Sequence, residues 1–375
     1  MKLAPLKLII LFTLITFLTS QAQPKDKSVY IKDNKAIFET PAAYELIHIA
    51  FALTDTSSNS YYYYSANDTS QAYYHDVIKY FSPYKNHPLI QKLTKQFKKS
   101  YTRYIYNLLK GYNSSFTENE ISKDKRFPFF HGLMYSFSSV IRSDMEDFAK
   151  ASNFQAFYNN HQTFYQQVLD DAKTKLNVPQ IQSWLETEFT AKYDKFNLVI
   201  SPLMHATHFT RHFTFIGEKT SIMWVSDGMD YNPKLYTPSQ IAGLYTGIVF
   251  TEIDHNYVNP VSDKYKKEIN QIMGDEHRVK WIKANGDGKY YGTGYKVFNE
   301  YMTHAVYLIY TNTYYSSNDQ AIIENARIRM MEQSRKYYRF GDFYRQLKAA
   351  YASKQAGETI KDLYPTMLNW VKNQN

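Results

Sequence analysis

The chain reads as α+β and mostly helical, and three features predict this. Apolar residues recur at helical spacing through most of its 375 residues. Runs suited to strands are confined to two places, residues 28–39 and 196–225. The second of these leads into the best-marked helix of the chain, and everything beyond that helix is again helical in pattern.

Residues 1–22 read as an export leader. Lys2 and Lys7 give a positive start, Leu8 to Leu18 an apolar core shorter than the ~20 residues that span a bilayer, and Ser20 to Ala22 a small-residue cleavage site. The expectation is a secreted or periplasmic protein with no stable membrane anchor after cleavage. The remaining chain of about 350 residues is ample for a large core. It divides into a helical N-terminal lobe over 23–192 and a core over 193–375. Cysteine is absent, which excludes disulfides, thiolate metal sites and a lipoprotein anchor, so a metal would be held by His, Asp or Glu. The net charge is +9, with two of the cations in the leader, and favours anionic partners. The 36 tyrosines often neighbour lysine, a pairing that can bind single-stranded nucleic acid, but no nucleic-acid motif accompanies them. Structural tyrosine or sugar stacking fits an exported chain better.

Ser28 to Lys32 and Ala36 to Glu39 alternate like two short strands around Asp33-Asn34. Thr40-Pro41 opens a helix to about Leu53, and Thr54 to Ser70 reads as an exposed loop. Helices follow over about 71–81 and over 88–110, the second stopped by Gly111. A charged linker spans 112–127, and two or more helices run to about Leu176, with another over Pro179–Phe189.

Phe196 to Met204 is a candidate buried strand, and His205–Ile216 with Ser221–Val225 a hairpin across Gly217. The helix that follows is capped by Thr237, with Pro238 at its first position and Gln240 completing a capping box, and Asn259-Pro260 should end it. Gly286, Gly288, Gly292 and Gly294 mark a loop before a helix carrying Glu300 and His304 one turn apart. Further helices are predicted near 320–338, 342–352 and 360–372.

Within the capped helix, Thr251-Glu252-Ile253-Asp254-His255 places three ionisable groups in an apolar run, so they should face a polar cleft. Set beside the zinc-protease signature H-E-x-x-H, Glu252 matches the general base and His255 the second ligand, while Thr251 stands where the first ligand histidine belongs. The block Thr251 to Pro260 resembles a family of secreted bacterial proteins, catalogued as a domain of unknown function, that look like gluzincin metallopeptidases. The resemblance takes in Tyr74 to Val77, Tyr80-Phe81, His87-Pro88, Phe157 to Asn160, Trp184-Leu185 and Leu198 to Leu203, and so most of the mature chain.

It implies a small sheet, an active-site helix, a zinc ion, a peptide or protein substrate, and Glu300 as the third metal ligand. Because a hydroxyl is a poor zinc ligand, three arrangements are open. His255, Glu300 and His304 could form a rearranged metal set with Glu252 as base; His205, His208 or His212 could reach in from the strand before the helix; or no metal binds and the cleft holds a peptide or glycan. Asp254 is expected either to orient a histidine from behind or to face solvent.

Overall fold

The computed structural model describes residues 28–55, 63–64, 66–123, 140–228, 231–283 and 291–374. The leader, Gly286 and Gly288 lie outside them. The fold is mixed α+β and mostly helical. Strands β1 (Val29–Asp33), β2 (Ala36–Thr40), β5 (Lys195–Ile200), β6 (Phe209–Phe215) and β7 (Glu218–Val225) form one five-stranded sheet in the order β1-β2-β5-β7-β6. The middle three are parallel and each edge strand is antiparallel to its neighbour. Asn34 takes the positive φ of the β1–β2 turn, and Ile216 and Gly217 that of the β6–β7 turn. The sheet joins the two regions on either side of residue 192, because β2 pairs with β5.

Helices cover both faces of the sheet, and strand alternation sorts the side chains between them. Val199, Ile222 and Trp224 point towards one apolar cluster, built with α1 (Ala42–Ala52), α2 (Ala72–Phe81), α3 (Pro88–Lys99), α4 (Tyr101–Tyr112), α5 (Arg142–Ala151) and α6 (Phe154–Asn160). Leu198, Ile200, Met223 and Val225 point the other way. There they meet α7 (Gln162–Lys175), α8 (Val178–Phe189), α9 (Pro238–Lys264), α10 (Lys266–Met273), α12 (Gly294–Tyr314), α13 (Ser317–Arg329), α14 (Phe340–Ala352) and α15 (Tyr364–Lys372). A short α11 (Asp275–Arg278) lies between α10 and α12. Among the described residues no helix is long and apolar enough to cross a membrane.

Four expectations change in the part of the chain before β5. The helix over 88–110 is two helices, broken at Ser100, whose backbone is extended. Gly111 does not stop the second but lies within it, and its lack of a side chain lets α4 approach α1, where a Cβ would meet the Ala43 carbonyl. The charged linker begins instead with a hairpin, β3 (Ser114–Thr117) and β4 (Glu120–Lys123), turned by Glu118 and Asn119 at positive φ. Part of the loop over 54–70 is not exposed: Tyr63, Ala66 and Asn67 are buried against α1.

Pro260 does not end α9, which runs on to Lys264. A proline inside a helix leaves the carbonyl four residues earlier without its partner. Here that carbonyl belongs to Asn256 and accepts instead from the Tyr193 hydroxyl at 3.2 Å.

Candidate functional site

The start of α9 is fixed as its sequence suggests: Thr237 and Gln240 exchange reciprocal capping hydrogen bonds and Pro238 follows. The helix passes beside β6 and packs on α12 and α13, which brings Glu252, His255, Glu300 and His304 together. His255 Nε2 lies 3.4 Å from Glu300 Oε1, and His304 Nε2 3.8 Å from Glu300 Oε2. Glu252 keeps some contact with solvent, and Glu300 and His304 are nearly covered.

Two arginines that the sequence did not single out complete the cluster. A π-helical turn over Met330–Ser334 follows α13 and delivers Arg335. Its Nη2 donates to Glu300 Oε2 at 2.9 Å and to the Tyr291 hydroxyl at 3.0 Å, while its Nη1 stands 2.6 Å from His304 Nε2. Arg327 of α13 stands 3.1 Å from the other imidazole nitrogen, His304 Nδ1, with its guanidinium over the Tyr307 ring. It lies against α9 where Gly247 gives it room, since a Cβ on Gly247 would overlap the guanidinium. The available signal was two arginines eight apart, too common a spacing to read alone.

The charges follow from this geometry. Burial, the largest single influence, pushes the Glu300 carboxyl up, but Arg335, His255 and His304 together outweigh it and hold Glu300 well below the carboxylate range. Burial also opposes charging His255, yet its bond to Glu300 and the charge of that carboxylate lift it to about 9. His304 is held well below the ordinary histidine value by burial and by the two guanidinium groups. Burial raises Glu252 to about 7, with His255 and Arg335 pulling against it. At neutral pH the cluster therefore pairs an imidazolium and a guanidinium with Glu300, beside a neutral His304.

No family model matches the chain, and no curated protein or solved structure does. The reading of the site rests on its own geometry.

These residues do not fit a zinc ion as they stand. The Thr251 hydroxyl turns back into its own helix, 3.0 Å from the Gly247 carbonyl and 3.1 Å from that of Ile248. A neutral imidazole has one lone pair, and both nitrogens of His304 face guanidinium N–H groups, so none is left for a metal. Of the expected set only His255 and Glu300 Oε1 keep a usable edge. Their 3.4 Å separation suits two ligands at ~2.0–2.2 Å in a tetrahedron, but a catalytic zinc takes three protein ligands.

The strand histidines do not supply the third, since among the described residues no three His, Asp or Glu side chains group closely enough to hold a metal ion. His205 Nδ1 bonds the Tyr64 carbonyl, His208 Nε2 the Ser226 hydroxyl, and His212 Nδ1 the Asn256 side chain. Asp254 neither orients a histidine nor meets solvent. It is fully buried, neither carboxyl oxygen has a hydrogen-bond partner among the described residues, and burial holds it protonated, well above its ordinary value. Its helical position turns it away from Glu252, towards the core that Phe250 and Val258 enter.

Proposed function

We propose that this chain is an exported peptidase-like protein that holds a peptide in its cleft without metal-dependent hydrolysis. The observation that carries the reading is Arg335, whose guanidinium donates to Glu300 and stands 2.6 Å from His304 Nε2, and so occupies the side of both that a metal would need. The order of parts supports the peptidase likeness: a small sheet, an antiparallel edge strand beside the motif helix, then the Glu300 helix. Strand β6 ends the sheet and pairs on one side only among the described residues. Such an edge can add an extended peptide as a further strand. Arg211 on β6 acts by its charge on Glu252, which places the edge and the cluster beside one another.

The test is turnover of labelled casein, together with binding of casein peptides, with and without added zinc. The proposal expects binding without hydrolysis in both conditions. Hydrolysis that Glu252→Gln abolishes would overturn it. That outcome belongs to a second reading, a zinc peptidase with Glu252 as base, favoured by the His255–Glu300 spacing and by the raised carboxyl of Glu252.

A further inference from the structure

A second polar cluster, unrelated to the cleft, lies in the joint between the N-terminal helices and the sheet. Glu45 and His48 of α1 and Ser201, just beyond β5, are all fully buried. The Ser201 Oγ stands 3.0 Å from Glu45 Oε2 and 3.0 Å from His48 Nδ1. The Tyr73 hydroxyl of α2 donates to Glu45 Oε1 at 2.9 Å and meets the Tyr165 hydroxyl of α7 at 2.6 Å. His48 Nε2 faces the Ala66 carbonyl and the Tyr104 hydroxyl of α4, each at 3.2 Å. Helices α3 and α5 and strand β3, which also pack on α1, give none of the three a hydrogen bond or ion pair. The set contains a serine, a histidine and a carboxylate, yet it is no nucleophilic triad. The hydroxyl is sealed from solvent, and the carboxylate bonds the serine rather than the far imidazole nitrogen.

Counting hydrogens decides what it is. The Ala66 carbonyl only accepts, so His48 Nε2 carries a hydrogen. Ser201 has one hydrogen and two neighbours that would accept it, Glu45 Oε2 and His48 Nδ1. Both contacts are hydrogen bonds only if the network holds one further proton. On Glu45, that proton is donated to Ser201, which donates on to His48; on His48, the direction reverses. Both forms have the same protons, and burial favours the one without separated charges. Burial accordingly holds the Glu45 carboxyl up, to about 7, against the hydrogen bonds of Tyr73 and Ser201, and holds His48 down, to about 3.

We infer that Glu45, Ser201 and His48 share one stored proton, and that its loss loosens the joint between α1 and the segment leading into β6. When the proton leaves, a carboxylate is buried with no cation beside it among the described residues, and two acceptors compete for one hydroxyl hydrogen. Ser201 also receives the Leu203 backbone N–H, and the Leu203 carbonyl receives that of Asp68, so the strain falls on residues 201–208. The inference does not depend on how the cleft is used.

The sign follows from linkage. A carboxyl raised in the folded state is protonated there while the unfolded chain is already ionised. The stability that Glu45 contributes is therefore lost as pH rises from the ordinary 4.5 towards about 7. His48, held down in the fold, has the opposite slope up to its ordinary 6.5 in wild type and variant alike, and cancels from their ratio. Glu45→Gln carries an amide that donates to Ser201 and accepts from Tyr73 at every pH, so it should fold. Unfolding constants of both proteins, measured from pH 5 to 8, give the test. The ratio of the wild-type to the variant folding constant should fall about tenfold per pH unit up to about pH 7 and then level off. At pH 8 the backbone amides of residues 203–208 should exchange faster in the wild type than in the variant. Asp254 and Glu252 also hold protons at pH 6, so the band is read by difference: the spectrum of the wild type minus that of Glu45→Gln should show the carbonyl band of one protonated carboxylic acid. A pH-independent ratio, a missing acid band or a variant that does not fold would each overturn the inference.

Discussion

Removing the Arg335 side chain is the most informative single perturbation. In Arg335→Ala the Glu300 carboxylate keeps one ionic partner, the His255 imidazolium at 3.4 Å. Deleting one member of a buried ion pair costs ~3–5 kcal/mol, because the other charge is left buried and uncompensated. The Arg335 and Glu300 side chains are 21% and 9% exposed. Solvent can therefore reach the vacated end, which lowers the expected loss to about 2–3 kcal/mol. Denaturant midpoints at pH 7 in the presence of a chelator would read it. The pH dependence has a definite sign. Glu300 is depressed in the folded state, so the stability it contributes is present above its ordinary 4.5 and is lost as pH falls through its lower folded value. The gap between wild type and variant should therefore narrow in acid. A loss under ~0.5 kcal/mol at pH 7, the size of an exposed surface pair, would refute the assignment of Arg335 to a shielded bridge.

Three further outcomes are expected. Asp254→Leu should stabilise the protein by ~1–3 kcal/mol in thermal or denaturant unfolding, since it removes an acid buried without a partner; a loss of stability would show that the acid has a role. Tyr193→Phe should cost ~1–2 kcal/mol by orphaning the Asn256 carbonyl opposite Pro260, and an unchanged midpoint would mean that water replaces the hydroxyl there. The His255 ring should titrate near 9 by nuclear magnetic resonance, and its share of stability should be whole below its ordinary 6.5 and fade as pH rises through 9. Titration at or below pH 7 would contradict the ion pair with Glu300.

Much of this fold was legible because local chemistry dictated it. The capping box of Thr237 and Gln240, the apolar run of Leu198 to Ile200 and the turns at Asn34 and Gly217 all act within a few residues. Ser100 and Pro260 were misread for opposite reasons. The break at Ser100 has no proline or glycine to announce it. Pro260 announces a stop that Tyr193, 63 residues apart from its partner Asn256, renders harmless. The site divides in the same way. Helical spacing alone put Glu300 one turn from His304, and the approach of His255 to Glu300 was implied by the gluzincin resemblance. Arg327 and Arg335 were not, because their role depends on a π-helical turn and on the space that Gly247 leaves open. Asp254 looked like a support for a histidine by its place in the motif, while its helical angle carries it into the core.

Zinc content tests the central claim most directly. The chain, dialysed against zinc and then buffer, should retain none, whereas Thr251→His combined with Arg335→Met supplies the missing imidazole, frees Glu300, and should retain about one zinc per chain. Stoichiometric zinc in the wild type, with Arg335 in place, would contradict the account.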